Sequence, residues 1–284
     1  MERRPGGSAN KRRLRDKWVS AASQLELEAD VNDLVMPDAR NMRTIILAGG
    51  FGKRLRQRVP DLPKPMAPVA GRPFLEYVLD GLIEGGIRDV VLSVGYRADA
   101  IKAHFGSDYR GASVQYAIES EPLGTGGAIA YALQGREDSP ALILNGDTLL
   151  QLDYAALFEW YRQDPSAVAM VLRDVPDVTR YGAVIASGGR VSGFAEKGKS
   201  GRGLINAGVY IVRPEIFVML GLAGHFSLEK NVLQAHLESI RPRAYVTEGY
   251  FIDIGIPDDY DRAQQELPEL FRGKIPRESG LHDH

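Results

Sequence analysis

From Thr44 onward, short runs of aliphatic and β-branched residues alternate with segments whose apolar residues recur every three or four positions. The first pattern predicts buried strands and the second predicts amphipathic helices. Their alternation indicates an α/β protein with a mixed, mostly parallel, Rossmann-like sheet that has helices on both faces. The predicted strands are 44–47, 90–94, 114–118, 141–144, 167–172, 183–185, 191–194 and 209–212, and the predicted helices are 73–84, 214–220 and 228–238.

Residues 1–40 depart from this alternation, because they are basic at first and acidic afterwards. A basic arm and a solvated, partly helical tail both fit such charge runs, and the tail is favoured. We therefore predict a flexible N-terminal extension over 1–40 and a single domain over 41–284. Within that domain, a nucleotide-binding half is expected at about 43–150 and an acceptor-binding half at about 151–267.

Composition narrows the classes of function. The 284 residues carry a net charge of −2 and no cysteine, so there is no global basic field for nucleic acid, and disulfides, thiolate nucleophiles and cysteine-ligated metals are excluded. No apolar run reaches the roughly 18 residues of a membrane span, and the N-terminus lacks the apolar centre of a signal peptide. A cytoplasmic protein without nucleic-acid or membrane partners is expected.

The strongest local signal is the glycine-rich run Leu47-Ala48-Gly49-Gly50-Phe51-Gly52-Lys53-Arg54-Leu55, directly after the first predicted strand. Glycines let backbone N–H groups approach a polyphosphate. The run lacks the third glycine of a dinucleotide fingerprint and the Ser or Thr of a Walker loop. Pro63-Lys64-Pro65 then stiffens the backbone around a cation, although a plain turn with a solvated lysine would also explain it.

Together these two motifs resemble the signature of sugar nucleotidyltransferases. The resemblance implies the nucleotidyltransferase form of the α/β fold, which is GT-A-like. It also implies transfer of a nucleoside monophosphate from an NTP to a sugar 1-phosphate. In the family, Leu47, Ala48, Gly49, Gly50, Gly52 and Lys53 would hold base and triphosphate, while Arg54 and Lys64 would neutralise phosphate charge. Such chemistry joins two anions, so positioning and charge neutralisation suffice without a protein nucleophile.

Two isolated acids are the candidate metal ligands. Asp147 ends Asn145-Gly146-Asp147 after an apolar strand, and Asp253 lies within Tyr250–Gly255. Each alone could be a turn or capping residue. The resemblance implies that both bind a catalytic Mg²⁺, which prefers oxygen ligands.

The resemblance also implies an acceptor pocket between these acids. Lys197 would neutralise the acceptor phosphate, Glu196 and Asn206 would bond sugar hydroxyls, and Gly182 would let backbone approach the sugar. Asn145 and Gly146 complete the predicted sugar-binding set. A surface Glu-Lys pair and a strand-edge asparagine are the alternative.

The loop Glu119–Gly127 would face the nucleobase, with Pro122, Gly124 and Thr125 in contact, although turn and cap chemistry also accounts for these three residues. Guanine presents two kinds of donor on one edge, whereas uracil and thymine present one. A carboxylate at Glu119 or Glu121 therefore favours GTP, with Glu119 preferred. A uridylyl- or thymidylyltransferase stays the alternative.

Over residues 43–267, the motif order is most similar to family members that act on D-glycero-D-manno-heptose 1-phosphate, with mannose 1-phosphate as the alternative acceptor. A regulatory module that binds sugar nucleotides without turnover is a rival class, which the complete set of basic and acidic site residues disfavours. A dehydrogenase is disfavoured by the incomplete fingerprint. The oligomeric state, a homo-oligomer included, stays open.

Overall fold

The computed structural model of the protein describes residues 42–50, 59, 62–136, 139–195, 198 and 200–273. The predicted extension, 1–40, lies outside these described residues. The strands are β1 Thr44–Leu47, β2 Pro68–Val69, β3 Arg72–Pro73, β4 Asp89–Val94, β5 Asp108–Tyr109, β6 Ala112–Ile118, β7 Ala141–Asn145, β8 Thr148–Leu150, β9 Val168–Val175, β10 Val184–Ser187, β11 Arg190–Phe194, β12 Gly203–Val212, β13 Arg243–Thr247 and β14 Phe251–Asp253.

One large sheet runs through both predicted halves, in the strand order β10-β11-β13-β9-β12-β7-β1-β4-β6-β5. Its centre is parallel, because β1 pairs in parallel with β4 and β7, and β4 pairs in parallel with β6. Strand β12 runs antiparallel between β7 and β9, and β13 is parallel to β9. The predicted mixed α/β sheet is confirmed, but its parallel character is confined to the centre and to β13 beside β9, and the other pairs of this sheet are antiparallel.

Helices cover both faces of this sheet. They are α1 Phe74–Glu84, α2 Ala98–Phe105, α3 Gly124–Ala132, α4 Tyr154–Gln163, α5 Glu215–Met219, α6 Leu237–Ile240 and α7 Pro257–Leu270. Alternate strand residues enter two separate cores: Ile46 and Leu92 pack under α1, α4 and α7, whereas Ile45 and Val91 pack under α3 and α5. Because both faces are buried, the central strands read as continuous apolar runs.

The structure differs from the predicted elements in several places. Strand β12 begins six residues before the predicted strand 209–212, and its pairing with β9 shifts between Asn206 and Val209. The predicted helix 228–238 is divided into a π-helical segment, Leu228–Gln234, and α6. The sequence reading placed neither α2 nor α4. Helix α4 begins where the Asp153 carboxylate caps it by accepting a hydrogen bond from the Ala156 N–H at 2.9 Å.

Across the described ranges, none of the helices combines the length and the apolar character that crossing a membrane requires.

Candidate active site

A cleft of about 810 Å³ opens at the carboxyl ends of the parallel strands β1, β4, β6 and β7. Open α/β sheets bind their ligands at this edge. The cleft contains many of the predicted nucleotide-side residues and also Asn145, a predicted sugar contact. Its lining is Leu47, Gly49, Gly50, Lys64, Pro65, Ser93, Gly95, Tyr96, Glu119, Ser120, Glu121, Pro122, Gly124, Thr125, Ala128, Asn145, Asp147 and Gly255.

The two predicted metal ligands are brought together by a short antiparallel ladder. Strand β8 starts directly after Asp147 and pairs with β14, in a register that sets Asp253 opposite Thr148. The Ile254 N–H donates to the Asp147 carbonyl at 3.1 Å, which extends this pairing to the acidic residue itself. Two carboxylates that are far apart in the chain therefore lie side by side at one end of the cleft, where Asp147 is part of the lining and Asp253 is not.

Lys64 lies between these carboxylates. Its Nζ is 2.5 Å from Asp147 Oδ2 and 3.3 Å from Asp253 Oδ1, and its side chain is 11% exposed. The 3₁₀ turn Lys64–Met66, which follows Pro63, presents it there. Gly255 closes the cluster tightly, since a Cβ at this position would lie 2.9 Å from Lys64 Nζ and 2.8 Å from Asp253 Oδ1. The cluster therefore holds one cation, the Lys64 ammonium, between the carboxylate oxygens of Asp147 and Asp253.

Glu119 faces the cleft with both carboxyl oxygens bonded to its own chain. Oε1 accepts from the Ser93 hydroxyl at 3.1 Å, and Oε2 accepts from the Leu123 N–H at 3.0 Å. The second bond closes the turn that leads into α3. Each oxygen keeps a further lone pair for a ligand donor. Glu121 also lines the cleft and is exposed.

The glycines at the start of α3 are required by close packing. A Cβ on Gly127 would lie 2.2 Å from the Gly224 carbonyl oxygen, and one on Gly126 would lie 2.3 Å from the Phe226 ring. Both glycine N–H groups donate to the Phe226 carbonyl, at 3.0 and 3.1 Å. The glycine-rich stretch thus docks the segment 224–228 against the nucleotide side of the cleft.

A β-bulge in β12 shapes the predicted acceptor side. Gly208, with φ of +72°, lies at the bulge, and a Cβ there would be 2.7 Å from Asn145 Nδ2. Asn206 precedes it, and its Oδ1 accepts from the Gly208 N–H at 3.0 Å. Bulges redirect side chains near active sites. This one brings Asn206 and Asn145 to the same corner.

Arg180 anchors the predicted sugar-contacting segment to α7. Its guanidinium forms an ion pair with the buried Asp259, which also accepts from Arg262 Nη1 at 3.1 Å. The hydrogen bond to Asp259 raises the pKa of Arg180 above its ordinary value. Asp258 and Asp259 lie in the first turn of α7. Through its pair with Arg180, Asp259 also fixes the chain next to Tyr181 and Gly182.

Several residues that the sequence predicted as site residues are not part of the cleft lining. Ala48 is buried beneath the cleft, with its N–H donating to the Ser93 carbonyl at 2.8 Å. Gly146 packs against β1, where a Cβ would be 2.7 Å from the Leu47 carbonyl oxygen. Gly182 and Asn206 do not line the cleft. The predicted residues Gly52, Lys53, Arg54, Glu196 and Lys197 fall outside the described residues.

Sequence reasoning missed Glu229, whose carboxylate receives hydroxyl donors from Thr125, Ser227 and Tyr210. The nearest sequence signal is Ser227 followed by Glu229 at the start of an apolar run, which reads only as a helix start. Thr125, predicted to contact nucleotide, lines the cleft but has its hydroxyl bonded to Glu229 and to the Leu228 N–H.

The glycines after β1, the cation held between two aspartates and the parallel centre of the sheet are together typical of a nucleotide-binding phosphoryl-transfer protein. The model of the nucleotidyl transferase family matches residues 43–269, and the chain belongs to that family. The resemblance that the sequence motifs indicated is thereby confirmed.

Three relatives sharpen this comparison. The chain is 44% identical over 226 residues to D-glycero-alpha-D-manno-heptose 1-phosphate guanylyltransferase of Aneurinibacillus thermoaerophilus, covering 80% of this chain and 98% of the relative. It is 33% identical over 228 residues to mannose-1-phosphate guanylyltransferase of Mycobacterium tuberculosis, covering 78% of this chain and 64% of that protein. The chain is also 38% identical to HddC from Yersinia pseudotuberculosis, whose crystal structure is complexed with GMP-PN. The two structures superpose with a TM-score of 0.72 over 80% of this chain and 99% of HddC.

Proposed function

We propose that the chain transfers GMP from GTP to D-glycero-α-D-manno-heptose 1-phosphate and releases pyrophosphate. The observation that carries the proposal is the cluster of Lys64, Asp147 and Asp253 at the carboxyl edge of the sheet. Similarity over 98% of a heptose 1-phosphate guanylyltransferase, against 64% of a mannose-1-phosphate enzyme, supports heptose as the acceptor.

The reaction needs no covalent protein intermediate. A phosphate oxygen of the sugar 1-phosphate attacks the α-phosphorus of GTP, and the bond from that phosphorus to the bridging oxygen breaks as pyrophosphate leaves. The acceptor phosphate is already an anion, so the protein has to position two anions and balance their charge. Lys64 is suited to this task because its ammonium is held at one end of the cleft rather than in open solvent.

The described residues fit Mg²⁺. Asp147 and Asp253 offer carboxylate oxygens that converge on one point, at which Lys64 Nζ provides the positive charge. Within the described ranges, no group of three or more histidine, cysteine or acidic side chains forms a fuller metal cage. Two carboxylates suit Mg²⁺, since this ion keeps waters and takes substrate phosphate oxygens. When bound, it would stabilise negative charge on the reacting phosphates.

The base preference rests on the acidic loop. Glu119 and Glu121 both line the cleft, and a carboxylate matches the N1–H and N2–H₂ donors of guanine. GMP-PN in the related HddC structure supports the same base. GTP is therefore the proposed donor.

Pyrophosphate release in the presence of GTP, Mg²⁺ and heptose 1-phosphate tests the proposal. We expect turnover in the parent protein and a fall of roughly two orders of magnitude or more in kcat for Asp147→Asn or Asp253→Asn, because metal-held charge is worth several kcal/mol in the transition state. Asp258→Asn, an exposed acid in the neighbouring helix turn, is the matched control and should keep parental kcat. Near-parental turnover in either site variant would remove that residue from the metal site.

A further inference from the structure

Glu229 is the centre of a hydrogen-bond network that joins the two sides of the site. It lies in the first turn of the π-helical segment Leu228–Gln234. Its Oε2 accepts from the hydroxyls of Thr125 at 2.6 Å and Ser227 at 2.8 Å, and its Oε1 accepts from the Tyr210 hydroxyl at 3.3 Å. Three side-chain donors from three separate segments therefore converge on one carboxylate.

The network continues from Tyr210 to Asn206. The Asn206 amide donates from Nδ2 to the Tyr210 hydroxyl oxygen at 2.6 Å, while its Oδ1 accepts from the Gly208 N–H at 3.0 Å. The orientation of the amide is thereby fixed, with nitrogen toward Tyr210 and oxygen toward the bulge. One Nδ2 proton and one Oδ1 lone pair are left for a ligand.

Every hydroxyl proton in this network points toward Glu229. The Thr125 oxygen accepts from the Leu228 N–H at 2.9 Å, the Ser227 oxygen accepts from the Lys230 N–H at 3.2 Å, and the Tyr210 oxygen accepts from Asn206. Each hydroxyl then has its own proton to donate. Burial first, and the negative charge of Glu229 second, raise the pKa of Tyr210 well above its ordinary value, so that this hydroxyl stays a donor.

We propose that Glu229 is a positioning residue for the acceptor: by accepting from Tyr210, it fixes the direction of the hydrogen bonds that orient Asn206. This inference rests on the proposed function, because it requires that Asn206 bonds a hydroxyl of the sugar 1-phosphate. Glu229 itself need not touch the substrate.

A glutamine at position 229 would reverse part of this network. If its carbonyl keeps the Thr125 and Ser227 donors, its amide N–H faces the Tyr210 hydroxyl, which must then accept rather than donate. Tyr210, which already accepts from Asn206, would then have a buried proton without an acceptor, and the Asn206 amide would turn over to supply its oxygen. Its nitrogen would then oppose the Gly208 N–H, two donors facing each other, and the atoms offered to the sugar would be exchanged.

Steady-state kinetics with each substrate varied tests the inference. We expect Glu229→Gln to raise KM for the sugar 1-phosphate about tenfold, corresponding to about 1.4 kcal/mol, with KM for GTP within about twofold of the parent. Tyr210→Phe, which keeps the ring and removes only the hydroxyl that links Glu229 to Asn206, should give the same selective increase. The double variant should be no worse than the more affected single variant, because both changes act through one path.

Two further variants calibrate the result. Ser227→Ala removes the hydrogen bond that the Ser227 hydroxyl donates to Glu229 and leaves the bond from Tyr210 intact. It should therefore leave KM for the acceptor unchanged. Asn206→Ala sets the full effect of losing the proposed sugar contact. If Asn206→Ala raises KM for the acceptor but Glu229→Gln and Tyr210→Phe do not, the positioning role is wrong and the proposed acceptor site stands. If Asn206→Ala leaves that KM unchanged, both the inference and the sugar-contact assignment are wrong.

Discussion

Gly208 has a φ of +72°, in the left-handed region that favours glycine, and it faces Asn145 and Thr148 at the bulge of β12. The sequence alone marks it only as one glycine within Asn206-Ala207-Gly208-Val209. Its importance comes from two conditions that meet at one residue, the backbone angle and the lack of room for a Cβ, which would lie 2.7 Å from Asn145 Nδ2.

Gly208→Ala should therefore cost more than backbone strain alone. Positive φ in a non-glycine residue costs on the order of 1–3 kcal/mol, and the collision adds to it by moving Asn145. Gly221→Ala is the matched control, since Gly221 has φ of +64° with no atom within 4 Å of its added Cβ. Urea denaturation and kinetics should show a greater loss of stability, and a higher KM for the acceptor, in Gly208→Ala. Equal effects of the two substitutions would rule out the collision.

Glu119→Gln tests base recognition without breaking the loop. The glutamine carbonyl can accept from the Leu123 N–H, and its amide can donate to the Ser93 oxygen, so both internal bonds survive. Loss of the carboxylate should lower kcat/KM for GTP about 10- to 100-fold, because charged hydrogen bonds are worth about 1.5 to 3 kcal/mol each. UTP and dTTP should be much less affected. Glu121→Gln is the parallel variant, and an unchanged GTP preference in both would exclude this loop as the guanine contact.

At the scale of elements, helix α1 carries a buried charge cluster away from the cleft. Asp80, 4% exposed, accepts from Arg72 Nη2 at 2.6 Å, Arg110 Nη1 at 3.1 Å and the Tyr109 hydroxyl at 3.3 Å. The carboxylate of the neighbouring Glu76 accepts a hydrogen bond from Arg72 Nε and lies 2.7 Å from His104 Nε2. The cluster ties α1 to α2 and β5.

Asp80→Ala should destabilise the protein by about 3 kcal/mol, because it leaves two guanidinium groups without their buried partner. Glu159→Ala, which removes an exposed pair with Arg162, is the control and should change stability far less than Asp80→Ala, because solvent screens exposed ion pairs. Urea denaturation measures both. A loss for Asp80→Ala no larger than that of the control would mean that the cluster contributes nothing to stability.

The same cluster predicts a pH dependence. Burial alone would raise the pKa of Glu76, but hydrogen bonds from His104 and Arg72 outweigh it, so the pKa lies below its ordinary value of 4.5. A carboxylate with a lowered pKa adds stability above its unfolded pKa, and that stability is lost as pH falls through the folded pKa. The unfolding free energy of the parent should therefore fall as the pH is lowered from 5 through about 4.5 and below, and this fall should be smaller in Glu76→Gln. The same fall of unfolding free energy below pH 5 in Glu76→Gln and in the parent would contradict this role of Glu76.

The elements also show where sequence reasoning succeeds and where it stops. Strand β1 was predicted with its observed bounds, because a strand buried on both faces is a nearly continuous run of apolar and β-branched residues. Helix α2 was not predicted, because only Ile101 and Phe105 are buried in it, and two apolar residues are too few to show a helical repeat in the sequence. The meeting of Asp147 and Asp253 depends on pairing between β8 and β14, and the Glu229 network depends on docking of segment 224–228; neither register can be read from local spacing.

At the scale of the whole molecule, one sheet unites the two predicted halves. Strand β12, from the predicted acceptor half, lies directly beside β7, which ends at Asn145 in the nucleotide half. The cleft and the bulge thus share the large sheet, and the β8–β14 ladder adds Asp253 beside it, so that one framework can hold two anions in line.

A competition experiment tests most directly whether the protein joins GMP to heptose 1-phosphate. Equal concentrations of GTP, UTP, dTTP, CTP and ATP are incubated with the protein, Mg²⁺ and equal amounts of heptose 1-phosphate and mannose 1-phosphate, and the sugar nucleotides are resolved by mass. We expect GDP-heptose to be the dominant product, formed in step with pyrophosphate. A dominant uridine or thymidine product would contradict the guanine assignment, GDP-mannose would contradict the acceptor, and the absence of any sugar nucleotide would contradict the proposed function as a whole.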